Sequence, residues 1–231
     1  LRGGEAPAGA LFDGFDAVSD TSYSDQNTGT SVDYTKVIGG VLDTISGQQA
    51  GTLGGVVRQP FRTKKFSQEA RLQSNAAGFI GWQGGLFYTH ERVDNVTAID
   101  AVTLPDGSPA PATFGLPVLG YGVINGTYQE VAGFGDLMLN FTEAFSVSGG
   151  LRYSHFRLET DQTLSGIFLS SASQSGANSD SKVTYSLNPV LKVTRDVMIY
   201  GRIASGYRPG GPNVATNNPA SYKPDTAVSY E

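Results

Sequence analysis

The sequence contains no cysteine, one tryptophan and two methionines. Without cysteine, neither a disulfide framework nor a thiolate metal site can form. No apolar run approaches the roughly 18 to 20 residues that a membrane-spanning helix needs, and the mean hydropathy is −0.17. These values do not exclude a transmembrane β-barrel, because lipid-facing and lumen-facing residues alternate along its strands and average the hydropathy signal away.

Positive charge is also scarce, with 16 Lys and Arg against 21 Asp and Glu and a net charge of −5. The basic residues are scattered, which argues against a nucleic-acid partner. The two histidines, His90 and His155, are predicted on strands that are not neighbours and have no evident third ligand, so we expect no metal site. No nucleophile lies beside a base and no carboxylate pair stands out, so we predict neither an enzyme nor a cofactor.

Glycine and aromatic residues are abundant, with 30 glycines, 11 tyrosines and 12 phenylalanines among 231 residues. The glycine share is roughly twice the usual value of about 7%. This composition favours strands and turns over helices, and it predicts an all-β chain.

Alternation with a period of two marks the strands. In the clearest case Val147, Gly149, Leu151 and Tyr153 oppose a polar row that includes Arg152. Similar alternation predicts strands over 15–25, 65–74, 81–91, 128–141, 147–154, 182–194 and 197–208, with a further strand opening near residue 226. Most of these segments have about 10 to 15 residues, which suits a tilted transmembrane strand better than a globular one.

The alternation assigns two faces to the predicted sheet. In the strand that contains Phe87, this aromatic residue is an exception on the polar side. We predict one continuous convex apolar belt made of Leu137, Leu139, Leu151, Tyr153, Leu187, Leu191, Ile199 and Ile203. The polar row is predicted to face the lumen, and it comprises Ser148, Arg152, Ser154, Thr184, Ser186, Asn188, Lys192 and Arg202.

The predicted connections alternate in length. Short links are expected at 75–78, 142–144 and 195–196, and long ones at 26–64, 96–126, 163–181 and 209–225, with four prolines between 104 and 117. Short turns on one side and long loops on the other are typical of outer-membrane barrels, where the turns are periplasmic and the loops extracellular. We therefore predict an antiparallel meander that forms a partial transmembrane β-barrel of about seven to eight long strands.

A loose internal repeat fits this topology. Residues 84–90 (GGLFYTH) parallel residues 149–155 (GGLRYSH). Each copy begins shortly after a short link, so both are expected to ascend, with Tyr88 and Tyr153 at one height in an aromatic girdle.

Several blocks resemble the barrel of TonB-dependent receptors. The first is 66–72 (FSQEARL), followed by Trp82 and 85–88 (GLFY). The next hairpin of that family is similar to 132–136 (AGFGD) with 149–153 (GGLRY). The most specific block is 200–211 (YGRIASGYRPGG) with 222–226 (YKPDT) and 229–231 (SYE). Similarity extends from about Phe66 to Glu231.

The resemblance implies a bacterial outer-membrane transporter that binds and imports a scarce nutrient, with a ferric siderophore or a similar iron chelate as the expected substrate class. It further implies outer-membrane lipid, a plug domain, additional barrel strands, a small-molecule substrate and TonB as partners. The chain begins at Leu1 without an initiator Met and stops within a predicted strand. We therefore expect residues 1–231 to be one barrel-domain fragment truncated at both ends, with plug and TonB-binding region outside it.

Two other functions remain open at the level of sequence. A passive porin-type channel shares the strand pattern but lacks the block from Tyr200 to Glu231. A surface β adhesion module would bury its apolar residues between two sheets. The segment Arg208-Pro209-Gly210-Gly211 lacks the features of a phosphate-binding loop and is predicted to end a strand in a turn. Arg208 is the one candidate for ligand contact, at the extracellular mouth.

Overall fold

The computed structural model describes residues 14–74, 78–110, 119–169, 171–212 and 221–231. They form one large antiparallel sheet in the order β1-β2-β3-β4-β5-β6-β8-β11, with β7 also paired to β6 and a separate two-stranded β9-β10 hairpin. The elements are β1 (Phe15–Asp33), α1 (Thr35–Ser46), β2 (Leu53–Ser74), β3 (Ile80–Thr103), β4 (Gly120–Asn140), β5 (Phe145–Gly166), β6 (Ala172–Lys192), β7 (Met198–Tyr200), β8 (Ile203–Arg208), β9 (Gly211–Pro212), β10 (Ser221–Tyr222) and β11 (Asp225–Tyr230).

The pairing of β1 to β6 keeps one register on each ladder and contains no β-bulge. Successive side chains therefore alternate between the two faces along the whole of each strand. One row across β3 to β6 is Trp82, Leu137, Gly149 and Leu187. The neighbouring residues of the same strands form the opposite face, which is polar.

The predicted apolar belt lies on one face and is open to the surroundings. Leu151 is 63% exposed. The other predicted members are also exposed, except Leu139, which is partly buried. Cross-strand pairing joins these residues from β4 to β8 into one surface. The apolar residues are therefore not buried between two sheets, which contradicts the adhesion-module alternative.

Aromatic residues border the belt at both ends. Near the short turns, the rings of Phe15 and Trp82 have centroids 6.3 Å apart, and Phe141 packs against Phe79 and Phe145 at 5.8 and 5.5 Å. The other border contains Tyr23, Phe66 and Tyr88. Tyr23 is paired with Phe66, whose ring lies 6.3 Å from that of Tyr88. Two aromatic girdles around an apolar band are typical of a transmembrane barrel.

The second girdle differs in one detail from the sequence prediction. Tyr88 pairs through Val131 with His155, whereas Tyr153 pairs through Gly133 with Leu86. The two repeat copies are thus offset by two residues along the ladders, so Tyr88 and Tyr153 do not share a cross-strand row. The repeat reflects similar strands rather than equivalent register positions.

The connections sort by side, and short links occur as predicted around 142–144 and 195–196, but the predicted long connections are too long. The ladders extend well beyond the apolar belt, so the predicted loop 163–181 is mostly strand and β5 and β6 are joined by only residues 167–171. Likewise, much of 26–64 belongs to β1, α1 and β2. Of the predicted turn 75–78, residues 75–77 lie outside the described residues, as do 111–118 of the proline-rich loop.

The strand predicted over 197–208 is divided into β7 and β8. Gly201 N donates to Pro189 O at 3.0 Å, but Pro189 has no N–H to return a ladder bond. Beyond this break Ile203 pairs with Leu187 in the continued register. Proline therefore interrupts the ladder without ending the sheet.

A small apolar core lies at the end of the sheet away from the short turns, which we call the mouth. It contains Leu42, Leu53, Ala101 and Leu119, with Ile38, Ile99, Ala110 and Phe168 packed against it. Among the described residues, no helix is long and apolar enough to cross a membrane.

Candidate functional site: the lumen face and its mouth

The polar face of the sheet carries the predicted lumen row. Directly paired positions are Ser148 with Asn188, Arg152 with Thr184, and Gly150 with Ser186. The structure thus places Ser148, Arg152, Ser154, Thr184, Ser186 and Asn188 on one face, opposite the apolar belt. Arg202 lies in the gap between β7 and β8, where its backbone bonds to that of Glu231.

Arg152 is the centre of the best-connected cluster on this face. Its Nη2 donates to Glu130 Oε1 at 2.7 Å and its Nε donates to Ser154 Oγ at 3.1 Å. Glu130 Oε2 accepts a further bond from the Tyr128 hydroxyl at 2.8 Å. The guanidinium lies 4.7 Å from the centre of the Phe87 ring. Phe87, the exception in the alternation, is therefore a cation–π partner of a lumen-facing arginine.

A second polar contact requires a glycine. Gln83 Nε2 donates to Asp136 Oδ2 at 2.8 Å. A Cβ on Gly150, which pairs with Asp136, would lie 2.0 Å from Asp136 Oδ1. Gly150 thus provides the space in which this carboxylate lies.

The adjoining part of the face is built in the same way around Arg71. Its Nη1 contacts Glu69 Oε1 at 2.8 Å, and its Nε donates to Gln73 Oε1 at 3.3 Å. A Cβ on Gly85 would lie 2.6 Å from Ala70 O and 2.7 Å from Phe134 Cζ. Both clusters satisfy their charges within the wall, so the lumen face is polar but largely neutralised.

An aromatic stack rises from the Arg152 cluster toward the mouth. The ring of Phe156 lies 6.3 Å from that of Tyr128 and 5.5 Å from that of Tyr207, and both pairs are stacked. Phe156 is fully buried. Tyr185 N donates to Ser205 Oγ at 2.8 Å instead of to a backbone carbonyl, so β8 leaves the β6 ladder before Tyr207.

Helix α1 lies on the lumen face at the mouth. Gly55 shares its side of β2 with Ser67 and Arg71, because their positions differ by even numbers in a strand without a bulge. A Cβ on Gly55 would lie 2.1 Å from Ile38 Cδ1. On its packed side the helix buries Leu42, while Tyr34, Val37, Val41 and Ile45 remain exposed.

Two carboxylates fix α1 to the sheet. Buried Asp43 accepts bonds from Gly51 N at 2.7 Å and from Leu53 N at 2.8 Å. Asp33 accepts a bond from Thr35 N at 2.8 Å, in place of a cap from Tyr34. Hydrogen bonds from Thr35 hold the pKa of Asp33 below its ordinary value. The helix is therefore attached at both of its ends.

The β9-β10 hairpin covers the lumen face on the other side of the mouth. A Cβ on Gly176 would lie 2.5 Å from Pro212 Cβ, and one on Gly211 would lie 2.8 Å from Leu158 Cδ2. One on Gly210 would lie 2.4 Å from Tyr222 O. Gly210 and Gly211 are buried and are not among the glycines with positive φ. The predicted strand end is confirmed, because β8 ends at Arg208. The two glycines additionally permit close backbone approach.

Arg208 lies at the end of β8 and is strongly exposed. Its Nη2 pairs with Asp225 Oδ2, its directly opposite neighbour in β11. Ligand contact by Arg208 stays a prediction. The ion pair gives this side chain a role in joining β8 to β11.

The histidines are separated, as the sequence predicted. His90 Nδ1 lies 3.2 Å from Gln129 Nε2, and His155 Nδ1 lies 2.9 Å from Ser181 Oγ. Strand β4 stands between their strands. No group of three or more potential metal ligands occurs among the described residues.

Sequence reasoning missed the parts that close the mouth, namely α1, the hairpin and the aromatic stack. For α1 the signal was available in the apolar residues at 37, 38, 41, 42 and 45, which follow helical spacing. The inward fold of the hairpin had no comparable signal.

Comparison with known proteins agrees with this architecture. The family model described as TonB dependent receptor-like, beta-barrel, matches residues 8–231. Pesticin receptors of Yersinia enterocolitica and Yersinia pestis are each 27% identical over 180 residues, or 76% of this chain and 25% of theirs. The crystal structure of the ferric yersiniabactin uptake receptor FyuA from Yersinia pestis aligns with a TM-score of 0.69 at 20% identity, over 95% of this chain and 30% of that one.

The chain spans about a quarter of the length of the curated relatives that it matches. The family model nevertheless covers almost all of it, and the structural likeness supports the same fold. Proteins of this family lie in the bacterial outer membrane and are transporters rather than enzymes. The chain belongs to the TonB-dependent receptor family, as part of its β-barrel.

Proposed function

We propose that this wall belongs to a receptor that imports a scarce nutrient across the outer membrane with energy delivered through TonB. The main support for this proposal is the lumen face of the sheet. It is polar, its charges are paired with one another, and α1 and the β9-β10 hairpin cover it at the mouth. A neutralised wall suits a lumen that holds a plug and water. A mouth lined by inward-folded segments suits the capture of a bulky solute.

The proposed substrate class is a ferric siderophore or a similar iron chelate. This class is supported by the structural neighbour, described as an uptake receptor for ferric yersiniabactin, and by frequency within the family that the sequence resembles. The proposed partners are the plug domain, the remaining barrel strands and TonB, all outside residues 1–231. Arg208 is the proposed ligand contact at the mouth.

The test is uptake of radiolabelled iron chelates by cells that carry the complete receptor as their only such protein. We expect accumulation that requires both the receptor and TonB. Uptake that persists without TonB would instead indicate a passive channel. Arg208→Ala, compared with Arg157→Ala on the lipid side, tests the ligand contact. A lower affinity for the chelate is expected only for Arg208→Ala.

A further inference from the structure

Helix α1 leaves one apolar side uncovered. Val37, Val41 and Ile45 follow one another at intervals of four residues, which places them along the same side of the helix. Val37 is 67% exposed, and Val41 and Ile45 are each 48% exposed. We call these three residues the apolar strip. Because α1 already packs on the sheet through its other side, the strip is free to make a further contact.

The apolar strip is turned toward the lumen. The opposite side of α1 packs on the lumen face of β2, where Ile38 lies against Gly55 and buried Gly39 lies close to Leu53. The side of the helix that is directed away from β2 therefore looks across the mouth. A solute that enters the lumen from outside the cell meets this side first.

The one hydroxyl beside the strip is bonded within the helix. Thr44 Oγ1 donates to Gly40 O at 2.7 Å. Lys36 is the one basic residue of α1, and the one acidic residue, Asp43, is buried and accepts bonds from backbone N–H groups. The strip thus presents hydrocarbon to the lumen, and it suits an apolar group of a solute.

Gly40 lies beside the strip, between Val37 and Val41, and packing within the chain does not explain it. A Cβ on Gly39 would lie 2.8 Å from Leu53 O, whereas one on Gly40 would have no described atom within 4 Å. Glycine is less favourable than alanine inside a helix, but it lets a ligand approach the backbone closely. A flat ring fits over Gly40, with a valine on each side.

The lumen face below the mouth offers little free positive charge. The lumen-facing cations that contact a glutamate are Lys65, Arg71 and Arg152. At the mouth Arg208 pairs with Asp225. Lys182 forms no ion pair with a described residue, but Asp180 lies two residues away on the same face of β6. A polyanionic solute would find few uncompensated cations here, so the charge pattern favours a neutral solute.

We propose that the apolar strip binds an aryl ring of a neutral metal chelate, with the ring over Gly40. This inference rests on the proposed import function and narrows its substrate to chelates that carry aromatic rings and no net charge. The strip is about 12 Å long, which is enough for one or two rings. Bonds to Asp33 and Asp43 hold α1 at both ends, so little conformational entropy is lost on binding.

The test uses three chromium(III) complexes that share one oxygen coordination and exchange their ligands slowly. The tris(benzohydroxamate) is neutral with phenyl rings, the tris(acetohydroxamate) is neutral without rings, and the para-sulfonated tris(benzohydroxamate) has rings and negative charge. Equilibrium dialysis with the complete receptor in nanodiscs, corrected for empty nanodiscs, gives each Kd. We expect the neutral phenyl complex to bind about tenfold more tightly than the other two. Equal binding of the three, or no binding, would overturn the proposal.

Val37→Gln and Val41→Gln should each weaken binding of the neutral phenyl complex about fivefold. Glutamine favours a helix more than valine does, so loss of the helix would not account for this result. The matched control is Lys36→Gln, because Lys36 is exposed on the same helix outside the strip. The control should bind as the wild type does. Weaker binding in Lys36→Gln alone would indicate recognition of negative charge and would contradict the proposal.

Gly40→Leu tests the position of the ring. The change favours the helix and adds apolar surface, yet it should weaken binding about tenfold because the new side chain fills the space over the backbone. Wild-type binding by this variant would refute the placement of the ring. Unchanged binding in both valine variants, together with a lower melting temperature, would assign the strip to a contact with the plug domain and would also refute the proposal.

This experiment can fail independently of the import test. Dialysis requires no TonB, whereas the import test measures uptake that depends on TonB. Uptake without TonB would contradict the proposed function and leave the preference for the neutral phenyl complex measurable. TonB-dependent uptake without that preference would contradict only the role of the apolar strip.

Discussion

The guanidinium of Arg152 in β5 covers the ring of Phe87 in β3, with 4.7 Å between Cζ and the ring centre. The contact joins β3 to β5 over the intervening β4. The same guanidinium bonds to Glu130 of β4. One side chain therefore ties three consecutive strands together on the lumen face.

Removal of this side chain should destabilise the barrel. Arg152→Ala leaves Glu130, whose side chain is 12% exposed, without its cation. Loss of one partner from a largely buried pair costs about 3 kcal/mol. The measurement is urea unfolding of the complete receptor in micelles, followed by circular dichroism. Arg157→Ala is the control, because its partner Glu159 is exposed, and we expect a change below about 1 kcal/mol. Equal effects of the two variants would contradict the assigned role of Arg152.

Gly150 and Gly149 are neighbours, but only Gly150 lacks space for a side chain. A methyl group at Gly150 would collide with Asp136, whereas one at Gly149 has Ser186 O at 3.5 Å as its nearest neighbour. Gly150→Ala should cost about 2 kcal/mol, as overpacking does, and Gly149→Ala should have little effect. The same unfolding assay compares them. If Gly149→Ala were as unstable as Gly150→Ala, the requirement for glycine at position 150 would come from strand flexibility rather than from the space that Asp136 needs.

Lysine substitution distinguishes a lipid-facing belt from an ordinary solvated surface. Leu151 is 63% exposed, and in a water-soluble sheet Leu151→Lys would change stability by less than about 0.5 kcal/mol. Against hydrocarbon the cost should reach about 2 to 4 kcal/mol. Urea unfolding of the receptor in phospholipid vesicles measures the difference. Ser148→Lys, on the lumen face of the same strand, should be well tolerated. A neutral Leu151→Lys would remove the basis for the membrane orientation.

Asp43 should stabilise α1 and the segment that follows it without stabilising the central strands of the sheet. Asp43→Ala removes the acceptor of two backbone N–H groups, at Gly51 and Leu53. Hydrogen bonds to a charged acceptor contribute about 1.5 to 3 kcal/mol each. We expect faster hydrogen exchange in α1 and residues 47–53, with unchanged exchange in β4 and β5. Uniformly faster exchange would indicate that α1 is coupled to the folding of the whole sheet.

The membrane-spanning part of the fold could be predicted from the sequence because hydrocarbon imposes alternation. Leu151 and Arg152 occupy the faces that their chemistry indicates, and the same holds for Leu187 and Asn188. Beyond the girdle at the mouth end, both faces of β6 are polar. The segment 172–181 contains four serines and no large apolar residue. It therefore shows no apolar period and was predicted as part of a loop, although the register with β5 continues through it.

The candidate site was only partly predictable. The lumen row follows from alternation, but its partners depend on strand order, which brings Arg152 to Glu130 and Phe87. Helix α1 carries Gly39 and Gly40, which lower its helix propensity. A Cβ on Gly39 would lie 2.8 Å from Leu53 O, so tertiary packing rather than local preference explains that glycine.

The bulge-free register of β1 to β6 restricts how this wall can change in length. Deletion of one residue within β4 would send Leu137 toward the lumen and Asp136 into hydrocarbon along the remainder of that strand. Loss or gain of two residues preserves the faces, and changes in the connections leave them untouched. Homologous sequences should accordingly show insertions and deletions of even numbers of residues within the strands and of any number of residues in the connections.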